Sequence, residues 1–196
     1  MRGSGDEPGA DPTAKPLLDF EALFPEASAL QSAALRRGVE AVWQRLWQAS
    51  DFTDITAVPT ALEIPYPHVV HNRAVVAMAL AVADAFQRYH GTHVDRDLLV
   101  TAALLQDAAK LVEYRPGPSG AVVSDLGRDL PHGFMAAHLA MEEGIPNSVC
   151  EIIMSHSPTA TRFPRTLEGK ILYYVDQLDV IAVYGDRWRK EIHITK

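Results

Sequence analysis

The stretch Asp97-Leu98-Leu99-Val100-Thr101-Ala102-Ala103-Leu104-Leu105-Gln106-Asp107-Ala108-Ala109-Lys110 decides how this chain folds. Its apolar side chains cover nearly the whole circumference of a helix, so the helix is expected to be central and buried on most sides. Asp95 or Asp97 offers an N-cap, and the helix is expected to run to about Leu111. A second run has the same character: Ile171, Leu172, Tyr173, Tyr174 and Val175 precede Asp176, and Leu178, Val180 and Ile181 follow it. An uncompensated carboxylate in such surroundings is costly to bury or takes up a proton. Asp107 and Asp176 therefore each need a cation or several hydrogen-bond donors.

Working outward, the 196 residues carry 18 basic and 25 acidic side chains, a formal charge of −7. The length suits one domain with a sizeable core. A hydrophobic content of 47% excludes a mostly disordered chain. The longest apolar run, Ala74 to Ala83, is ten residues, too short to span a bilayer. No leader opens the sequence, so there is no sign of secretion. Cys150 is a single cysteine and forms neither an internal disulfide nor a cysteine-based zinc cage. With acidic residues in excess and no basic block longer than Arg187–Lys190, a nucleic-acid groove is not expected. The expectation is a cytoplasmic protein with no membrane contact. Residues 1 to 16, rich in glycine and proline, read as a disordered lead-in, and Met1-Arg2-Gly3-Ser4 has the look of an expression-tag remnant. Residues 17 to 196 then form a single domain.

Periodicities of three and four continue the helical pattern elsewhere. A first amphipathic helix begins near Glu26 and carries Leu30, Ala33, Ala34, Val39, Val42, Trp43, Leu46 and Trp47. A loop with Pro59, Pro65 and Pro67 follows it. The next helix spans about His68 to His90, closed by Gly91. Pro116-Gly117-Pro118-Ser119-Gly120 is a turn cluster, so a small hairpin or ordered loop is expected within residues 112–131. Further helices are expected at His132–Glu143, Pro146–His156 and Pro164–Tyr184, and there is no internal repeat. The fold class is all-α.

Two buried acids gain meaning from the eight histidines. Taken singly, Asp107 has a plain partner in Lys110 one turn on, and Asp176 has one in Arg187 or a helix N-terminus. Together with suitably placed histidines they point to a metal. His71 heads the apolar stripe of Val75, Met78 and Val82, so its ring is expected to point inward. His132 follows Pro131 and precedes Gly133, which allows another backbone to approach. His156 ends the apolar helix of Ile152, Ile153 and Met154. His68, one turn before His71, is a weaker candidate. His90 and His93 read as surface residues at a helix end, His138 as structural, and His193 has no context.

The order His71, Gln106-Asp107 with Lys110, His132-Gly133, His156 and Asp176 resembles the HD-domain superfamily of metal-dependent phosphohydrolases. The family pattern is a histidine, a His-Asp pair with a lysine three positions on, two further histidines in many members, and a late aspartate in an apolar helix. The resemblance spans about residues 66 to 184 and implies a helical bundle with the metal in its middle. It implies His71, Asp107 and Asp176 as ligands of one ion, and Asp107 as a bridge with His132 and His156 for a second. Gln106 is a departure, standing where the family has histidine. Its amide oxygen is a neutral, harder donor that suits Mg²⁺ or Mn²⁺ better than zinc or iron(II). A weakened first site, a harder metal, or a filled second site alone all remain open. The implied cofactor is one or two divalent ions, with Mn, Mg, Fe, Zn and Ni all admissible.

The implied activity is hydrolysis of a small phosphorylated or otherwise hydrolysable substrate by metal-activated water. Asp107 and Lys110 would be the catalytic pair, although Lys110 reads equally well as a salt bridge that orients Asp107. Arg162 and Arg165, in the loop after His156, are candidate contacts for substrate phosphate, against the commoner reading as solvated loop residues. Two alternatives belong to other classes: a di-iron oxygenase, and a degenerate member that binds a ligand without turnover. Ser124 has no assigned role. The Trp43/Trp47 helix is a candidate homodimer face, with packing against its own domain the heavier reading. No H-E-x-x-H, Walker, G-x-S-x-G or dinucleotide pattern competes.

Overall fold

The computed structural model describes residues 15–183. Within them the fold is all-helical apart from two small antiparallel hairpins. The short helix α1 (Phe20–Leu23) and a 3₁₀ turn (Pro25–Ala29) lead into α2 (Ala33–Ala49). The hairpin of β1 (Pro59–Ala61) and β2 (Ile64–Pro67) precedes α3 (His68–His90) and α4 (Arg96–Leu105). The one-turn helix α5 (Lys110–Glu113) leads into the second hairpin, β3 (Tyr114–Gly117) and β4 (Gly120–Val123). Helices α6 (Asp125–Asp129), α7 (His132–Glu142), α8 (Asn147–Ser155) and α9 (Leu167–Val183) complete the bundle.

Helix α4 is the hub, packed against α2, α3, α7, α8 and α9. Every residue from Leu99 to Leu105 is buried, as its all-round apolar surface requires. Asp95 rather than Asp97 caps it, accepting from the Leu98 N–H at 3.0 Å. The Asp97 carboxylate instead receives the N–H groups of Gln31 and Ser32 and pins the entrance of α2. That helix starts later than its periodicity suggests. Ser32 supplies the N-cap, and the apolar residues ahead of it lie in the 3₁₀ turn and an extended link. Trp43 is fully buried and donates its indole N–H to the Leu104 carbonyl at 3.0 Å. Trp47 is also buried, so both tryptophans pack inside their own domain. Of the expected lead-in, residues 1–14 lie outside the described part. Pro16 and Lys15 accept and donate hydrogen bonds at Trp47.

Helix α3 is long and apolar enough, by length and hydropathy, to cross a membrane. Here it is a core helix: His71, Asn72, Val75, Val76, Ala79 and Ala83 face α4 and α9. Arg73 and Arg96 pair with Glu26 and Asp84 on the outer side. Gly91, at φ 65°, closes α3 as expected.

The largest departure concerns the end of α4. The helix stops at Leu105 and the backbone tightens into successive i→i+3 bonds, Ala108 to Leu105, Lys110 to Asp107 and Leu111 to Ala108. A tightened turn of this kind re-aims side chains that a continuous helix would carry elsewhere. Asp107 lies within this turn.

Candidate metal centre

Five of the sequence candidates meet beside that turn. The Nε2 atom of His71, from α3, lies 3.2 Å from Asp107 Oδ2 and 3.0 Å from Asp176 Oδ1 on α9. On the other side of the same carboxylate, Asp107 Oδ1 lies 3.2 Å from His132 Nε2 and 3.4 Å from His156 Nε2. These two rings approach each other at 3.3 Å. Asp107 is thus shared by two clusters, His71–Asp107–Asp176 and Asp107–His132–His156, each with its ligand atoms within 4.8 Å of one another.

Several local features produce this convergence. Helix α7 starts at His132, after Pro131, and α8 ends at Ser155 with His156 as its C-cap. Gly133 lets the two helices meet closely: a Cβ there would lie 3.1 Å from the Ile153 carbonyl oxygen. The second hairpin carries the chain away and back, so that the Ser124 N–H binds the Glu113 carbonyl at 2.8 Å. The Ser124 hydroxyl donates to the Val112 carbonyl and accepts from the Gly127 N–H. Ser124, without a role in the sequence, is therefore the clasp that holds Glu113 in place.

All three imidazoles have an oxygen facing the ring nitrogen that points away from Asp107. His71 Nδ1 lies 2.7 Å from Asp179 Oδ2, and the Tyr66 hydroxyl donates to that same oxygen. His156 Nδ1 lies 2.6 Å from the Ile153 carbonyl oxygen. His132 Nδ1 faces Glu113 Oε2 at 3.3 Å. An acceptor at Nδ1 leaves Nε2 as the free electron pair, which is how proteins orient histidine towards a metal. Sequence reasoning missed these supports. Asp179 could have been found, because it is a second acid three residues after Asp176 in the same apolar helix. Glu113 carries no such signal.

Burial opposes charge throughout the site, and the close pairing overrides it. His71 is held protonated well above the ordinary histidine value by hydrogen bonds to Asp107, Asp176 and Asp179, despite burial that favours the neutral ring. Burial likewise works against His132, but Asp107 and Glu113 push it up to about 9. Burial would raise Asp107, whereas Lys110, His132, His156 and His71 hold it well below the usual carboxylate range. Lys110 is 8% exposed, 3.6 Å from Asp107 Oδ1, and donates to the Thr60 carbonyl on β1 at 2.7 Å. It is at once a salt bridge and a cation on the wall of the site.

The cluster opens into a cavity of about 500 Å³ whose walls include Glu63, Lys110, Tyr114, Ser157 and Gln177. Arg162 and Arg165 line no part of it; Arg165 is exposed and pairs with Glu151 at 2.9 Å. Gln106 is fully buried, does not line the cavity, and leaves both side-chain polar atoms without a hydrogen-bond partner. His68 is turned into the core and stacks on Trp43, where burial lowers its pKa to about 3. His90 and His93 are exposed, as is His138, which lies 3.6 Å from Glu142. Arg187, a possible partner of Asp176, and His193 lie outside the described residues.

The donor set fits a divalent ion. Metal–ligand bonds of about 2.1 Å separate neighbouring ligand atoms by about 3.0 to 3.4 Å in octahedral or tetrahedral geometry, the spacing seen here. Among known proteins, the family model described as HD domain matches residues 69–181. The chain belongs to the HD domain family. It is also similar to a dihydroneopterin 2',3'-cyclic phosphate phosphodiesterase from Methanocaldococcus jannaschii, with 30% identity over 115 residues. That match covers 57% of this chain and 45% of the relative, so the chain corresponds to less than half of that protein. No solved structure matches at a significant level. Family membership supports a metal-dependent phosphohydrolase at the level of the family, and the all-helical bundle agrees with it.

Proposed function

We propose that this HD domain is a metal-dependent phosphohydrolase acting on a small phosphoester, with a phosphodiester as its substrate class. The observation that carries this reading is the set of three imidazoles with Nδ1 facing an acceptor and Nε2 converging on the two oxygens of Asp107. His71, Asp107 and Asp176 would hold one ion, and Asp107, His132 and His156 a second. Bound there, divalent ions supply Lewis acidity and bring the pKa of water towards neutrality.

The chain's own residues do the rest. Asp107 joins the two halves of the site and keeps its negative charge. Lys110, fixed by the Thr60 carbonyl, sets a positive charge where the equatorial oxygens of a phosphoryl group would come to lie. Glu63 and Glu113 on the cavity wall disfavour a polyanionic substrate and favour the single charge of a diester. The named activity of the archaeal relative supports the same class. Gln106 lines no part of the cavity, so its tuning of the first site towards oxygen-preferring ions is proposed from its place next to Asp107 in the chain alone.

The test is reconstitution of the purified chain with Mn²⁺, Mg²⁺, Zn²⁺, Fe²⁺ or Ni²⁺, followed by metal analysis and hydrolysis of bis(4-nitrophenyl) phosphate. Bound metal with turnover, both lost in Asp107→Ala, is the expected result. Gln106→His should shift retention towards Zn²⁺ and Fe²⁺. A chain that retains no metal overturns the reading. Oxygen consumption by the iron-loaded protein without diester hydrolysis would replace it with the oxygenase alternative.

A further inference from the structure

Helix α3 is more apolar than its place in the fold requires. The run Ala74–Ala83 holds no polar side chain, yet only 39% of the helix's most apolar 18-residue stretch is buried. A helix on the surface of an isolated domain gives its outer side to charged residues. Here Ala77 and Ala81 are exposed instead, and Val70, on the same side two turns before Ala77, is 51% exposed. On α9, which packs beside α3, Tyr174 and Leu178 stand open one turn apart, at 63% and 52%. Scattered exposed apolar residues need no explanation, but a face of this extent does. Charge returns only at the two ends of the run, as Arg73 and Asp84, both exposed.

We propose that this face is covered by a second copy of the chain, the two α3 helices packing antiparallel about a two-fold axis. The charges decide the occupant. Arg73 and Asp84 are eleven residues apart, three helical turns to within about 20°, so both lie on the side of Ala77 and Ala81. A two-fold axis through the middle of the run sets Arg73 of each copy against Asp84 of the partner subunit, as a self-complementary contact demands. Within one copy Arg73 pairs with Glu26 at 3.0 Å, and Asp84 with Arg96 at 2.6 Å. Across the axis these pairs join into a row of alternating sign: Glu26, Arg73, then Asp84 of the partner subunit and Arg96 of the partner subunit. A parallel pair in register would set like charges together. The size also suits a second copy. With α3 about 34 Å long and α9 widening the face to about 20 Å, it spans about 700 Å² per copy, close to the roughly 800 Å² each partner buries in a stable complex. A lipid surface fits less well, because the chain is acidic and the face matches its base with an acid, whereas helices that lie on membranes are flanked by Lys and Arg. None of Val70, Arg73, Ala77, Ala81, Asp84 and Tyr174 lines the cavity of the candidate metal centre, so the inference stands apart from the catalytic reading.

The test is sedimentation equilibrium of the full chain between about 1 and 100 µM, where a dimer is expected. Ala77→Glu sets two carboxylates at the middle of the contact and should leave a monomer with the parent's circular dichroism, since the position is exposed in the single copy. Arg73→Glu and Asp84→Lys should each weaken the dimer at least about tenfold, because each brings like charges together at both symmetric contacts. An equimolar mixture of these two variants should regain the parent's affinity as a heterodimer, in which Glu at 73 meets Lys at 84 and Arg73 meets Asp84. A parent chain that stays monomeric throughout overturns the inference, as does a dimer indifferent to Ala77→Glu. A mixture no tighter than its components overturns the antiparallel pairing and the inference with it. Monomeric chain that sediments with vesicles of phosphatidylcholine and phosphatidylglycerol would assign the face to lipid instead.

Discussion

Replacing Asp179 tests whether the site is built to hold metal, because Asp179 touches the proposed ligand His71 and none of the other proposed ligands. Its Oδ2 sits 2.7 Å from His71 Nδ1, and the residue is 7% exposed. Loss of such a supporting group costs about 10- to 100-fold in metal affinity, or about 1.4 to 2.7 kcal/mol. The amide of Asp179→Asn keeps a carbonyl that can accept from Nδ1–H, so it should fall near the tenfold end. Asp179→Ala leaves the ring without its acceptor and should approach the hundredfold end. Tyr66→Phe removes only the hydroxyl donor to Asp179 and should cost less than either. Asp84→Asn, which perturbs an exposed pair with Arg96, is the control and should change nothing. Affinity would be read by competition with a chromophoric chelator, and folding by circular dichroism of the metal-free proteins. An Asp179→Ala variant that folds normally and binds metal within twofold of the parent would refute the reasoning, since His71 would then need no orientation.

Other outcomes follow from the same geometry. Gly133→Ala places a Cβ 3.1 Å from the Ile153 carbonyl and must part α7 from α8 by a few tenths of an ångström, so thermal melts should show a loss of about 1 kcal/mol. In the metal-free protein, His132 titrates at about 9 when folded against about 6.5 when unfolded; its contribution is complete below pH 6.5 and fades by pH 9, and urea melts should show stability declining across that window. At the acid end the depressed Asp107 acts oppositely, adding stability above its unfolded value near pH 4 that is lost as pH falls below it. Metal loading at pH 7.5 should release about two protons, from His71 and His132, so the calorimetric enthalpy should vary with the ionisation enthalpy of the buffer; a flat response would contradict the protonation described here.

Much of the fold and of the site can be read from the sequence itself. The all-round apolar character of residues 98–105 places α4 at the centre, because such a helix has no face to give to water. Asp107 and Asp176 stand out for the same reason, since a carboxylate in an apolar run must find a partner. What periodicity could not show was the break after Leu105, because Ala108 and Ala109 are excellent helix formers whose propensity favours continuing the helix. The β1–β2 hairpin was hidden because strands of three and four residues, with prolines at 59, 65 and 67, carry too little alternation to register. Glu113 reaches His132 only because a hairpin folds the intervening chain away, a contact with no local pattern. Arg165 shows the converse: a loop arginine near a histidine in sequence turned to the nearest surface acid, Glu151.

The protonation of the histidines ties the fold to the chemistry. Three aspartates surround His71, and their mutual repulsion in a buried site has to be balanced. Lys110 answers part of it at Asp107. Protons on His71 and His132 answer more, and with Nδ1 facing Asp179 or Glu113 the extra proton sits on Nε2, at the centre of the cluster. A divalent ion bound among His71, Asp107 and Asp176 would take the place of such a proton and bring positive charge to the same oxygens. Metal binding at so deeply buried a carboxylate as Asp107 is therefore expected to exchange protons for the ion rather than only to add charge.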